Sequence, residues 1–155
     1  MSIWDAGAFD NDDAVDWLSE LEDEPSIVAL NDAFDELLSL NRDDYLEVTE
    51  AARALAAAHV AVAVLDATRQ LDDVEGETLD ILRGRAVHLD SRARESLARR
   101  AMAAVMLAVD SDRSELAQLL FQDADMYRTW REAQDQLLVE LKAHAGDPAS
   151  RGTGA

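Results

Sequence analysis

Residues 54–65 read Ala-Leu-Ala-Ala-Ala-His-Val-Ala-Val-Ala-Val-Leu, and this apolar run decides the expected fold. Val60, Val62 and Val64 alternate with alanine, a pattern that also fits a buried strand. We favour a helix over about residues 50–69, because alanine is the best helix former and the segment is long. A helix that is apolar on nearly every side is expected at the centre of a bundle. The 12-residue run is shorter than the roughly 20 residues that a membrane span needs.

Apolar residues at helical spacing predict further helices before and after this segment. We expect helices over about residues 12–22, from Pro25 onward, 50–69, 77–83, 91–109, 113–122 and 124–143. Pro25 fits the first position of the second helix, because no backbone N–H is missed there. Asn11 or Asp10 can cap the first helix, and Gly84 is expected to end the fourth.

The C-terminal part of the chain carries two more boundary signals. Asp112 and Glu115 resemble a capping box for the sixth helix. The last helix has an apolar stripe made of Met126, Trp130, Ala133, Leu137 and Leu141. We therefore predict an all-α fold, a single compact bundle of six or seven helices over residues 1–146 with an N-terminal aromatic arm. Residues 147–155 are expected to be a disordered tail.

Several classes of protein are disfavoured by what the sequence lacks. It contains no cysteine, which excludes disulfides and thiolate metal sites. It also lacks the Gly-x-Ser-x-Gly elbow, a phosphate-binding glycine loop, the His-Glu-x-x-His motif and the dinucleotide fingerprint. The absence of these catalytic motifs argues against an enzyme. The N-terminus has no basic region of the kind that opens a signal peptide, so we expect a cytoplasmic protein.

The charge is strongly negative and unevenly distributed. The chain has 33 Asp and Glu against 14 Lys and Arg, a formal net charge of −19. Residues 1–50 carry −15 of it, residues 51–110 carry −1 and residues 111–155 carry −3. Because neutralising phosphate needs Lys and Arg, this balance argues against direct nucleic-acid binding and against docking on an anionic membrane.

The first helix concentrates acids in a way that helix stability does not explain. Asp12, Asp16 and Glu20 follow one another at a spacing of four residues. Each like-charge pair at that spacing lowers the stability of a helix by about 0.2–0.5 kcal/mol. Three interpretations stay open: a solvated face kept for solubility, internal pairing with the arginines of residues 83–100, and a docking face for a basic protein. The docking interpretation assigns the binding face to Asp12, Asp13, Asp16, Glu20, Glu22 and Asp23.

The N-terminal region also holds Trp4, Phe9 and Trp17. These are candidate aromatic anchors for a partner or walls for a ligand pocket. More commonly, such residues clip an N-terminal arm onto a bundle.

Two polar features are weighed as chemical sites. The side-chain oxygens of five residues suit a hard cation: Asp10, Asn11, Asp12, Asp13 and Asp16. The spacing does not match a calcium loop, whose sixth position is glycine, because Val15 stands there. Helix capping explains these side chains without a metal, so we expect no metal and no other cofactor. His59 lies in the most apolar helix and is expected to be a neutral histidine bonded to one partner.

The block from Trp4 to Trp17 reads Trp-Asp-Ala-Gly-Ala-Phe-Asp-Asn-Asp-Asp-Ala-Val-Asp-Trp. It resembles the opening of an uncharacterised bacterial family, a domain of unknown function with the pattern Trp-Gly-x-Gly-x-Phe-(Asp/Glu)-Asn-Asp-x-Ala-x-Asp-(Trp/Phe). Asp5 stands where that pattern has glycine. The likeness extends over about residues 1–143 and implies a fold and a class of protein, but no activity.

We therefore expect a non-enzymatic acidic module that binds another protein, with an immunity-type or antitoxin-like inhibitor of a basic partner as one concrete form. The alternative is a small-ligand-binding protein or enzyme with its site between the N-terminal arm and the bundle. Asp10, Asn11, Asp12 and His59 would be its polar groups. A structural or oligomeric role is the third hypothesis, since apolar helices can pair across a twofold axis.

Overall fold

The computed structural model describes residues 7–40 and 44–146. These residues form seven helices: α1 (Asp12–Asp23), α2 (Ile27–Leu38), α3 (Val48–Leu65), α4 (Gly76–Ala86), α5 (Ser91–Ala108), α6 (Glu115–Phe121) and α7 (Ala124–Ala145). No strand occurs within the described ranges. The all-α bundle predicted from the sequence is confirmed. Trp4 and the expected tail at residues 147–155 lie outside the described residues.

Helix α3 is the centre of the bundle and contacts each of the other six helices. By length and composition alone it would qualify as a membrane-spanning helix, yet 78% of it is buried inside the bundle. The alternation of Val60, Val62 and Val64 with alanine therefore belongs to a helix that needs apolar side chains on every side. The small alanines let the neighbouring helices approach α3 closely.

Two predicted helix boundaries are wrong, the start of α2 and the end of α4. Pro25 does not open α2, because Ser26 is the N-cap and its Oγ accepts a hydrogen bond from the backbone N–H of Val28 at 3.1 Å. Gly84 does not end α4, which continues to Ala86. The glycine at this position faces open space and is simply tolerated in the last turn.

The capping box predicted from Asp112 and Glu115 is also wrong. Ser114 is the N-cap of α6. The Oε1 atom of Glu115 instead accepts a hydrogen bond from the backbone N–H of Val48, at 3.2 Å. Helix α3 has no side-chain N-cap of its own, so a residue distant in sequence supplies the acceptor that its first turn needs. A short parallel bridge between Leu46 and Ser114 holds the two helix starts together.

The inner face of α7 differs from its predicted stripe at one position. Trp130, Leu137 and Leu141 are buried as expected. Ala133 is exposed, and Gln134 is buried in its place. Gln134 follows Trp130 by four residues and precedes Leu137 by three, so helical geometry places it on the same side.

Candidate functional site

A tight turn at residues 7–10 leads the chain into α1. The backbone N–H of Gly7 donates to Asp10 Oδ2 at 2.8 Å, and the backbone N–H of Asp10 donates to the Gly7 carbonyl at 3.1 Å. A Cβ atom at Gly7 would collide with the Asp10 carboxylate, so a side chain at this position would displace that carboxylate from its hydrogen bond. Asn11 is the N-cap, with its Oδ1 accepting from the N–H of Ala14 at 2.8 Å. These polar side chains therefore build the start of α1.

Phe9 and Trp17 pack into the core, each with 8% of its surface exposed. The Phe9 ring meets the His59 ring edge to face, with 6.4 Å between the centroids. Trp17 lies on the inner side of α1, and its remaining exposed edge borders a surface groove between α1 and α2. Both residues have a structural role, and a role as partner anchors stays a prediction.

The acids predicted for the binding face fall into two groups. Four are exposed on the side of α1 opposite its buried residues, and we call them the acidic stripe: Asp12, Asp16, Glu20 and Asp23. Asp13 and Glu22 are only partly exposed. Asp13 Oδ2 is buried without a hydrogen-bond partner among the described residues, and Glu22 Oε2 accepts from the N–H of Glu75 at 3.1 Å. The acidic stripe extends over the 12 residues of α1, roughly 16 Å of helix.

An open groove beside the acidic stripe separates α1 from α2. It has two adjoining parts, of about 390 and 300 Å³, and Trp17 borders both. The carboxylates that line it belong to Glu20, Glu24, Asp32 and Glu36. Arg53 of α3 also lines it, with a guanidinium nitrogen 3.5 Å from Glu36 Oε2. The groove and the stripe together form the acidic α1–α2 face.

Negative charge also accumulates where the acidic α1–α2 face meets the start of α3. Burial raises the pKa of Glu50, and the neighbouring carboxylates of Glu47 and Glu36 raise it further.

On α2, Asp35 forms an ion pair with Arg100 of α5. Internal pairing therefore accounts for part of the acidity of α2.

Internal pairing does not extend to most of the acidic stripe. No ion pair within the described part of the chain joins Asp16, Glu20 or Asp23 to an arginine. Helix α1 also has no basic residue in its last turn, where Glu20 and Asp23 lie unfavourably for the helix dipole.

Three arginines of residues 83–100 donate hydrogen bonds to backbone carbonyls, and Arg85 does so to the carbonyl of Pro25. Arg83 donates from Nε to the carbonyl of Ala63 at 2.8 Å and from Nη2 to the carbonyl of Arg69 at 2.7 Å. Arg94 Nη2 donates to the carbonyl of Leu65 at 3.3 Å. The contacts with Ala63 and Leu65 satisfy two of the last carbonyls of α3, which ends at Leu65, earlier than predicted.

His59 lies close to α7, with its Nε2 atom 3.3 Å from Gln134 Oε1. Burial lowers the pKa of His59 to about 4, so the ring is neutral at pH 7. The expectation of a neutral histidine bonded to one partner is confirmed. The Nε2 atom of Gln134 is itself buried without a hydrogen-bond partner among the described residues. Sequence reasoning missed Gln134, although its position in the α7 repeat marked it as an inward residue.

The other chemical interpretations find little support in the described residues. Across residues 7–40 and 44–146, no group of three or more His, Asp or Glu side chains is arranged to hold a metal ion. The grooves between α1 and α2 are lined by residues other than Asp10, Asn11 and His59. The ligand site expected between the arm and the bundle stays a prediction, because residues 1–6 of the arm lie outside the described residues.

Fold and surface together define the class of this protein as an acidic all-α bundle built around one apolar helix. Within that class, the chain belongs to the DUF4259 family, a domain of unknown function, whose family model matches residues 2–133. The matched region covers α1 to α6 and the first part of α7. No curated protein and no solved structure matches the chain.

Proposed function

We propose that this DUF4259 protein is a non-enzymatic interaction module that binds a basic protein through the acidic α1–α2 face. An inhibitor of the immunity or antitoxin type, which covers the basic surface of an effector, is the concrete form that we favour. The observation that carries the proposal is the acidic stripe. Its exposed carboxylates lie on one side of α1, and Asp16, Glu20 and Asp23 have no arginine partner in the described part of the chain.

The arrangement of the acidic stripe weakens the free protein. Asp12, Asp16 and Glu20 repel one another along the helix, and Glu20 and Asp23 oppose the helix dipole near its C-terminal end. A basic partner would relieve both effects, because its Lys or Arg side chains would supply the missing positive charge. Complementary charge of this kind also speeds association and selects among partners.

A solubility role explains the net charge less completely. Acids spread over the surface would keep the protein soluble just as well, since solubility depends on charge more than on its placement. The formal charge is unevenly distributed, with −15 in residues 1–50 and −1 in residues 51–110. Concentrated charge beside a groove is what a docking surface needs.

The test is a capture experiment from a lysate of the native organism, with three immobilised forms of the protein. The first is the wild type. The second, the α1 variant, carries Asp16→Asn, Glu20→Gln and Asp23→Asn. The third, the α4 variant, makes the same charge change at exposed acids elsewhere: Asp73→Asn, Glu77→Gln and Asp80→Asn.

We expect the wild type and the α4 variant to retain the same basic protein in stoichiometric amount, and the α1 variant to lose it. Raising the salt from about 50 to about 150 mM should weaken capture, because exposed charges are screened. The direct contact is then checked with the two purified proteins. Equal capture by the α1 and α4 variants, or no stoichiometric partner at either salt, would overturn the proposal.

A further inference from the structure

A second groove, of about 440 Å³, lies between α5 and α7. Its walls include Met102 and Met106 from α5, and Leu138 and Val139 from α7. Met106 is 61% exposed and Val139 is 64% exposed. Single exposed apolar residues are common on proteins, whereas several that share one groove are typical of an interaction surface.

Helices α5 and α7 run antiparallel along this groove. Arg131, early in α7, donates from Nη1 to the carbonyl of Val109 at the end of α5, at 3.4 Å. Later residues of α7 therefore lie beside earlier residues of α5. Asp135, Val139 and Lys142 follow one another at spacings of four and three residues, so they lie on one side of α7.

This side of α7 is complementary to a second copy of itself. Consider a twofold axis that crosses α7 between Leu138 and Val139. Asp135 then lies three and a half residues before the axis and Lys142 three and a half residues after it, which is about 5 Å along the helix in each direction. The axis therefore places Lys142 of one copy opposite Asp135 of the other, twice. It also places Val139 against Leu138.

We propose that the α5–α7 groove is the interface of a twofold-symmetric homodimer of this protein. The apolar walls of the two grooves cover each other, and the two Lys142–Asp135 pairs set the register. Such an isologous interface closes on itself, as the common dimers do. Asp135 already pairs with Arg131 of its own chain, at 3.2 Å, and Lys142 of the second copy extends that pair into a network.

The charge distribution favours a second copy at this surface. Residues 111–155, which include α7, carry a net charge of only −3, whereas residues 1–50 carry −15. No residue of α1 or α2 lines the α5–α7 groove. The dimer therefore buries a nearly neutral apolar surface and leaves the acidic α1–α2 face open on both copies.

This inference does not rest on the proposed function, and the two can be distinguished by how binding responds to salt. Each copy carries −19, so two copies repel at long range, and screening should strengthen the dimer. Binding of a basic partner should respond in the opposite direction. Failure of one claim therefore leaves the other intact.

The test is sedimentation equilibrium of the full chain between about 1 µM and about 1 mM protein, at about 50 and 500 mM salt. We expect a monomer–dimer equilibrium that shifts toward dimer at the higher salt. Val139→Glu should lower the association constant by about tenfold or more, since it brings two carboxylates to the axis. Val87→Glu, at another exposed valine that lies outside this groove, is the matched control and should leave it unchanged.

A charge reversal identifies the predicted contact. Lys142→Glu and Asp135→Lys should each weaken the dimer, and the double variant should restore it, because the pair across the axis is reformed with its signs exchanged. Circular dichroism checks that each variant folds. A monomer at every concentration and salt would overturn the inference, as would equal effects of Val139→Glu and Val87→Glu or a double variant without recovery. A monomer that binds an apolar molecule in this groove would also overturn it.

Discussion

His59 joins three parts of the molecule at the scale of a single residue. Its ring packs against Phe9 of the N-terminal turn, and its Nε2 atom contacts Gln134 of α7. The sequence predicted a neutral histidine at this position, because the helix around it is apolar. The partner could not be predicted with the same ease, since a glutamine in an amphipathic helix is usually an outward residue.

The low pKa of His59 predicts how stability responds to acid. The folded-state pKa is about 4 and the unfolded value about 6.5, so the unfolded chain binds more protons between these values. The stability from the neutral ring is fully present above pH 6.5 and is lost as the pH falls toward 4. Over that window the loss is about 3 kcal/mol, from about 2.5 pKa units at 1.36 kcal/mol each.

Urea unfolding of the wild type and of His59→Gln, at several pH values from 7 to 4, measures this loss. Protonation of the many carboxylates acts on both proteins, so only the difference between their unfolding free energies is diagnostic. We expect that difference to move in favour of the variant as the pH falls. Parallel curves for the two proteins would contradict the assigned pKa.

At the scale of the helix, long-range contacts decide several of the ends. The sequence predicted seven segments and most of their extents, because apolar periodicity is a local property. It placed the end of α3 too late, since the arginines that bind its last carbonyls are Arg83 and Arg94, 18 and 29 residues beyond Leu65. The capping box predicted at the start of α6 was wrong, because the Glu115 side chain accepts a hydrogen bond from the first turn of α3 instead of from its own helix. A pattern within one segment cannot show such contacts.

Arg83 is expected to contribute strongly to stability. Its guanidinium donates to three backbone carbonyls, those of Ala63 in the last turn of α3, of the C-cap residue Asp66 and of Arg69 in the loop that follows. Hydrogen bonds from a charged donor contribute about 1.5–3 kcal/mol, and removing it leaves carbonyls unpaired. Arg83→Met should lower the unfolding free energy by about 2–4 kcal/mol.

Chemical denaturation of Arg83→Met beside Arg92→Met provides the measurement and its control. Arg92 is exposed on α5, so its loss should change stability by less than about 0.5 kcal/mol. Arg83→Lys should recover little, because an ammonium group cannot donate to several carbonyls in one plane. Equal effects at the two positions would refute the assigned role.

The acids of α1 are expected to destabilise the helix that carries them. The α1 variant, with Asp16→Asn, Glu20→Gln and Asp23→Asn, removes like-charge pairs and two acids near the C-terminal end. Its unfolding free energy should rise by about 1 kcal/mol at low salt and by less at high salt.

The α4 variant is the control for this prediction, since it makes the same change in charge. It should gain nothing, because Glu77 lies in the first turn of α4 and benefits from the helix dipole. Thermal or urea unfolding of both variants at two salt concentrations gives the comparison. An α1 variant that is less stable than the wild type would show that the acids serve the fold.

At the scale of the whole molecule, two surfaces of different chemistry are formed by helices that pack against the same core helix, α3. The α1–α2 face is acidic, and the α5–α7 groove is mainly apolar, with Asp110, Arg131 and Lys142 as its charged lining residues. The sequence indicated the first surface, because the charge asymmetry is visible in the composition of residues 1–50. It did not indicate the second, since Met102, Met106, Leu138 and Val139 share a groove only after α5 and α7 pack together.

The central claim is that the acidic stripe exists for a basic partner. The most direct measurement is the association rate constant of that partner for the wild type, the α1 variant and the α4 variant at two salt concentrations. The account predicts that the α1 variant associates at least about tenfold more slowly and loses most of the salt dependence, while the α4 variant resembles the wild type. Equal rate constants for the two variants would contradict it.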